Sequence, residues 1–214
     1  MNTRTKEAIR YLGYGRHAVD DRTLAMVQEA FRQLDQVADP KIIYRIFELS
    51  IQDKNCLKIG KLLIESSNLY RNLNGCDQVI LLGATLGIGV DMLMKRYSLT
   101  DMAQAVVLQA AAAAMLEEYL DDWQENKALE LEEEGKYLRP RFSPGYGDFS
   151  IHHQETILRM LDAAKRIGLT MTESCMLTPT KSVTALIGIS VTKIPCHRKG
   201  CESCDKTDCR FRRD

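Results

Sequence analysis

Four cysteines cluster in the last 19 residues, in CHRKGCESCDKTDC: Cys196, Cys201, Cys204 and Cys209, spaced C-x4-C-x2-C-x4-C. Four thiolates within 14 residues can close around one ion or cluster. The x2 pair lets two sulfurs share a metal while the intervening amides turn toward them. Tetrahedral zinc and an iron–sulfur cluster both fit, and free thiols or a redox pair stay open. Arg198, Lys199 and Lys206 would offset the thiolate charge in either metal state. The second stretch with chemistry in it is RPRFSPGYGDFS, residues 139–150. Arg141 offers a planar fork of donors that suits a carboxylate. Pro144 stiffens the segment, and Ser143 mainly contributes backbone groups. Gly145 and Gly147 allow close approach of the backbone, while Tyr146 can stack on a flat ring or hydrogen-bond through its hydroxyl. The same residues also suit an ordinary Pro-Gly turn carrying a surface arginine.

Other familiar signatures are missing. Gly83, Gly87 and Gly89 form neither a dinucleotide fingerprint nor a P-loop, so DQVILLGATLGIGVD (77–91) reads as a strand with a tight turn into a helix. No catalytic triad or carboxylate pair stands out. Cys56, Cys76 and Cys175 are isolated and read as small buried hydrophobes.

The elements that must position these residues are mixed. DDRTLAMVQEAFRQLDQV (20–37) carries Leu24, Val27, Phe31 and Leu34 at helical spacing, with Asp20 or Asp21 as cap. KIIYRIFELSI (41–51) reads as a strand, and 59–74 as a helix ended by Asn74-Gly75. From Thr100 the longest helix begins, capped by Thr100 with Asp101 complementing its dipole. Its five alanines at 110–114 suit close packing, and the acidic run Glu130 to Glu134 reads as a solvated end. Residues 151–169 predict one further helix with Ile157, Met160, Leu161 and Ala164 on its stripe and Gly168 as C-cap. SVTALIGISV (182–191) reads as a strand. Strands and helices without regular βαβ spacing predict an α+β fold.

Composition sets the outer bounds. A chain of 214 residues buries about 70% of its unfolded surface and needs no disulfide or metal to build a core. Lys+Arg and Asp+Glu both total 29, so there is no basic excess for nucleic acid. No apolar run reaches the ~20 residues that span a bilayer, and the N-terminus lacks a signal-peptide core. A cytoplasmic protein with no membrane or nucleic-acid partner is expected. In a reducing compartment the terminal cysteines read as metal-binding rather than as a disulfide framework.

Three motifs in order carry a resemblance. Arg141, Pro144, Gly145 and Tyr146 match R-x-x-P-G-Y; Leu169, Thr170, Thr172, Glu173 and Ser174 match L-T-E-S with one residue offset; Pro179, Ser182 and Val183 match P-x-x-S-V. The set resembles the activation (reactivation) domain of cobalamin-dependent methionine synthase, over roughly residues 80–192. The resemblance implies a single C-shaped α+β domain over 1–192, with a mostly antiparallel twisted sheet flanked by helices, leaving 193–214 as a Cys-rich metal-binding tail. It also implies an S-adenosylmethionine site on the R-x-x-P-G-Y loop, with Arg141 holding the methionine carboxylate and Tyr146 against the adenine. The implied role is accessory to methylation: rescue of cob(II)alamin by one-electron reduction and methyl transfer from S-adenosylmethionine. The protein would act in trans on a partner that carries the cobalamin, with an electron donor such as flavodoxin or ferredoxin. A different reading is an iron–sulfur reductive activator, or docking scaffold, for another corrinoid methyltransferase that uses no S-adenosylmethionine.

Departures from the family pattern are specific. If Glu118 matches the family's second glutamate, the acidic ligand contact one turn earlier falls on Ala114; Glu117 or Glu118 substitutes only in another register. A second ligand-contacting tyrosine falls near Leu186 and Ile187, and a tryptophan–tyrosine pair is missing. His152 and His153 invite a role as lower-axial cobalt ligands, against the plainer reading of solvent-facing histidines at a helix start.

Overall fold

A computed structural model describes residues 2–14, 18–53 and 55–193 of the chain. Cys196, Cys201, Cys204 and Cys209 lie outside the described residues, as does most of the proposed 193–214 tail. Contacts divide the described chain into two compact units. One draws on residues up to Pro40 and on Leu86–Asp121, the other on Lys41–Thr85 and the chain from Asp122 onward.

The first unit is helical. α1 spans Thr3–Tyr11 and α2 Asp21–Val37. The Asp20 carboxylate accepts the Thr23 amide at 2.8 Å, capping α2, which buries Val27, Ala30, Phe31 and Leu34. Gly87, at φ 84°, turns the chain into α4 (Ile88–Thr100). Gly89 faces the Val37 carbonyl so closely that no Cβ would fit. Asp101, rather than Thr100, caps α5 (Met102–Glu133) by accepting the Gln104 amide at 3.1 Å. Thr100 instead closes α4, donating its hydroxyl to the Arg96 carbonyl. Ala110, Ala111, Ala112 and Ala114 are buried, as the alanine run predicts.

The second unit is built on an antiparallel sheet. Its strands are β1 (Lys41–Asp53), β2 (Cys56–Ile59), β3 (Leu62–Glu65), β4 (Gln78–Thr85), β5 (Tyr137–Leu138) and β8 (Ser182–Ser190), in the order β3-β2-β1-β4-β8-β5. Two short strands, β6 (Thr170–Met171) and β7 (Leu177–Thr178), form a separate hairpin. The helices α3 (Ser67–Leu73), α6 (His153–Leu161) and α7 (Ala163–Ile167) complete the unit with the end of α5. β4 and β8 are central, and both read as continuous apolar runs because both of their faces are covered. Leu81 pairs with Leu186, placing both on the face that meets α3, α6 and α7 through Leu69, Leu73, Ile157, Leu161 and Ala163. On the other face Tyr44 stands opposite Leu82, and Trp123 of α5 packs on Tyr44 at 5.1 Å between ring centroids.

Two helix expectations are corrected. Residues 59–74 are not one helix, since Leu57, Ile59, Leu62 and Ile64 are buried while Lys58 and Leu63 face out. This period of two belongs to the β2–β3 hairpin, turned at Gly60 with φ 56°. Apolar residues at 59, 62 and 63 fit helical spacing as well, and β2–β1 pairing decides between the two. Only the final turns, α3, are helical, with Ser66 accepting the Leu69 amide at 3.0 Å. The 151–169 segment is broken by Asp162, which sits left-handed at φ 54°. The break rotates the stripe, so Ala163 is buried and Ala164 exposed. Gly168, also left-handed, closes α7 as the sequence predicts.

Candidate functional site

The segment 139–150 is neither helix nor regular strand, yet it is held at both ends. Its entry runs along the edge of β8. Arg139 donates its amide to the Gly188 carbonyl at 2.8 Å, and Phe142 exchanges two backbone hydrogen bonds with Leu186 at 2.9 and 2.8 Å. Arg141 lies between these anchors. Its Nη1 donates to Gln124 Oε1 at 2.9 Å, and Gln124 Nε2 donates to the Arg139 carbonyl at 3.4 Å. A neutral amide thus orients the half-buried guanidinium.

Ser143-Pro144-Gly145-Tyr146 then makes a tight turn. The Tyr146 amide donates to the Ser143 carbonyl at 3.2 Å, and Gly145 takes φ 94° at the third position. Proline before a positive-φ glycine is the type II arrangement, which requires glycine there. Pro144 is buried, and Tyr146 is 68% exposed at the tip. Ser143 supplies its carbonyl to the turn. Gly147, at φ 56°, passes so close to the Asn68 amide that a Cβ would clash.

Two residues that sequence reasoning passed over pin the exit of the loop. Asp148 crosses to the start of α3, where its carboxylate accepts the Ser66 hydroxyl at 2.5 Å, the Ser67 amide at 2.7 Å and the Asn68 amide at 3.1 Å. The two amides are orphan donors of a helix N-terminus, and the hydroxyl belongs to its cap residue. Phe149 is 1% exposed and sits 6.3 Å from the Phe142 ring and 5.5 Å from His153, on which it stacks. His153 is therefore half-buried rather than solvent-facing; burial first, then neighbouring His152, lowers its pKa. His152 is exposed, as the plainer reading expects.

The Ser66 hydroxyl, foremost, holds the Asp148 pKa below its ordinary value near 3.8. A carboxylate with a depressed folded pKa stabilises fully above its unfolded pKa and loses that contribution as pH falls through the folded value. Wild type should therefore lose stability below about pH 4 more steeply than Asp148→Asn, and the variant should melt lower at pH 7. Parallel acid limbs in thermal melts of the two would contradict this.

The three motifs meet through α6. Gln154, 4% exposed, donates to the Cys175 carbonyl at 2.9 Å and accepts from the Thr184 hydroxyl at 3.1 Å. It ties the L-T-E-S segment to β8, and no sequence motif marks it. Thr172 and Ser174 pair their hydroxyls at 2.9 Å in the loop between β6 and β7. Leu169 is fully buried in the core. Ser182 donates to the Pro179 carbonyl at 2.6 Å, closing the turn into β8 just before Val183. Ala114 is 1% exposed, in the first unit, where Glu118 lies 3.8 Å from Arg4. Leu186 and Ile187 are wholly buried in β8.

Of the three isolated cysteines, only Cys76 is a buried hydrophobe; Cys56 and Cys175 are half-buried. Burial pushes the Cys76 thiol up, and the Arg139 guanidinium works against that shift. Arg139 itself is 9% exposed and donates to the Asn74 carbonyl at 3.2 Å.

An antiparallel sheet whose outermost pairing continues into an arginine- and proline-bearing loop defines a mixed α+β protein with a turn-built rim. Residues 69–192, more than half of the chain, match the family described as vitamin B12 dependent methionine synthase, activation domain, and the chain belongs to that family. Among solved structures, the MetH reactivation domain bound to AdoHcy is similar in fold, with a TM-score of 0.59 at 15% identity. The match covers 86% of this chain and 74% of that one. No curated protein matches the sequence.

Proposed function

We propose that the protein reactivates a cobalamin-dependent methionine synthase in trans, supporting reductive methylation of cob(II)alamin with S-adenosylmethionine as methyl donor. The partner carries the cobalamin, and an electron donor such as flavodoxin or ferredoxin completes the set in the cytoplasm. Among the described residues no helix is long and apolar enough to cross a membrane, which is compatible with that setting.

The observation that carries this reading is the Arg141 arrangement within a chain of this family. A guanidinium oriented by neutral Gln124 stands five residues from an exposed tyrosine, on a turn stiffened by Pro144. A ligand with a carboxylate at one end and a flat heterocycle at the other suits such a rim. Arg141 would hold the carboxylate, Ser143, Pro144 and Gly145 would line the backbone edge, and Tyr146 would cover the ring. The bound sulfonium would supply the methyl group; the chain's own part is to bind and orient it. Cys196, Cys201, Cys204 and Cys209 are assigned to zinc or an iron–sulfur cluster, the latter suiting relay of the electron.

Calorimetric titration with S-adenosylmethionine tests the assignment. Wild type should bind, and Arg141→Ala should bind about 10- to 100-fold more weakly, the worth of one charge-assisted hydrogen-bond pair. No binding by folded wild type would sink it. The reductive activator or docking scaffold without S-adenosylmethionine then takes its place. That second reading is favoured by Ala114, Leu186 and Ile187, buried apolar residues where the resemblance asks for polar ligand contacts.

A further inference from the structure

The hairpin β6–β7 faces α6 and α7 across a cleft of about 690 Å³. In its lining the Cys175 sulfur lies 3.6 Å from His152 Nδ1. Both side chains line the cleft, and both are accessible: His152 is exposed and Cys175 half-buried. Neither belongs to the ligand site assigned to Arg141 and Tyr146. Cys175 is fixed from behind, because its carbonyl accepts from buried Gln154 and its amide donates to the Thr172 carbonyl at 3.0 Å. The thiol is thus presented, not left to rotate with a loose loop.

We propose that Cys175 and His152 form a thiol–disulfide exchange site that takes small, cationic disulfides. With Nε2 carrying the ring proton, His152 Nδ1 accepts the proton of the Cys175 thiol, leaving the thiolate that acts as nucleophile. The thiolate attacks one sulfur of R–S–S–R. A bond forms between Cys175 Sγ and that sulfur, the S–S bond of the disulfide breaks, and the departing R–S⁻ takes the proton from His152 as R–SH. The exchange needs no outside oxidant. The choice of a cation follows from the lining: Glu155, Asp162 and Glu173 contribute three carboxylates against the single guanidinium of Arg159. Glu155 pairs with Arg159, and Asp162 lies 3.9 Å from Arg166, so the carboxylate of Glu173 sets the sign of the field.

Cys56 provides an internal reference in the same molecule. It is also half-buried, and its sulfur has Gln52 Oε1 at 3.8 Å, which cannot take a proton. The reduced full chain is treated with limiting cystamine, and labelling at each cysteine is followed by peptide mass mapping. Cys175 should react about tenfold faster than Cys56, the gain expected of a thiol beside a base. His152→Gln should bring Cys175 down to the rate of Cys56 while leaving Cys56 unchanged, which also reports that the variant is folded. In denaturant the two wild-type rates should converge. Replacing cystamine with the anionic 3,3′-dithiodipropionate should slow Cys175 more than Cys56. Equal rates at Cys175 and Cys56 in the folded chain would overturn the site. Full reactivity of Cys175 in His152→Gln would overturn the role of the imidazole, and equal slowing by the anion would overturn the preference for cations.

Discussion

Phe149→Ala is expected to destabilise the second unit by about 3–5 kcal/mol, the range for removing a fully buried aromatic ring. At 1% exposure the ring is among the largest wholly buried side chains, in the cluster that also holds Leu69, Ile157 and Leu186. It also supports the loop mechanically. Its neighbours Phe142 and His153 belong to the two segments on either side of the turn, so the cavity opens directly beneath Pro144-Gly145-Tyr146. Urea denaturation should show the midpoint fall, and limited proteolysis should find new cleavage between residues 143 and 150. Phe149→Leu, which keeps most of the volume, should cost under about 1.5 kcal/mol. A loss below 1 kcal/mol for alanine, or equal losses for both variants, would show that the ring is not what holds the segment down.

The second large effect comes from adding a single carbon. A Cβ on Gly188 would lie 2.6 Å from Cys76 Sγ, 2.9 Å from Leu73 Cδ2 and 3.0 Å from Arg139 Cγ. Real Cβ atoms do not approach side chains that closely, and Leu73 and Cys76 are both buried. Gly188→Ala should therefore cost about 3 kcal/mol, the upper part of the range for overpacking. Part of the damage is specific, because Arg139 must move and its hydrogen bond to the Asn74 carbonyl goes with it. Cys76→Ala removes the nearest atom. The double variant should recover part of the loss, giving a coupling energy in a double-mutant cycle that distant sites would not show. Additive losses would mean that the backbone, not the thiol, absorbs the strain.

What could be read from the sequence differs between elements for physical reasons. β4 and β8 were legible because strands buried on both faces are unbroken apolar runs, whichever partners they have. The α2 and α5 helices were legible through their stripe, cap and alanine content. The β2–β3 hairpin was not, because Ile59, Leu62 and Leu63 satisfy two periods at once and only pairing with β1 selects one. Likewise the break at Asp162 depends on a single left-handed residue that carries no glycine to announce it. In the candidate site, the turn at Pro144-Gly145 was legible from residue types and order, while the ligand roles of Arg141 and Tyr146 belong to the proposal. Asp148, Phe149 and Gln154 were passed over, since each acts on a distant segment and nothing in its own neighbourhood names that segment.

The anchoring of the loop by Asp148 has a bearing on the order in which the chain folds. Its three hydrogen bonds close sequence separations of 80 to 82 residues. Contacts so far apart form only after the intervening chain has collapsed, and loop-closure entropy delays them relative to the β2–β3 hairpin or α6. Residues 143–149 make two consecutive turns, closed by the Tyr146 amide on the Ser143 carbonyl and the Phe149 amide on the Tyr146 carbonyl, but no helix or strand, so they become ordered when α3 is already in place to receive the carboxylate. The rim assigned to the ligand is then a late product of folding, and its protection against hydrogen exchange reports assembly of the whole second unit.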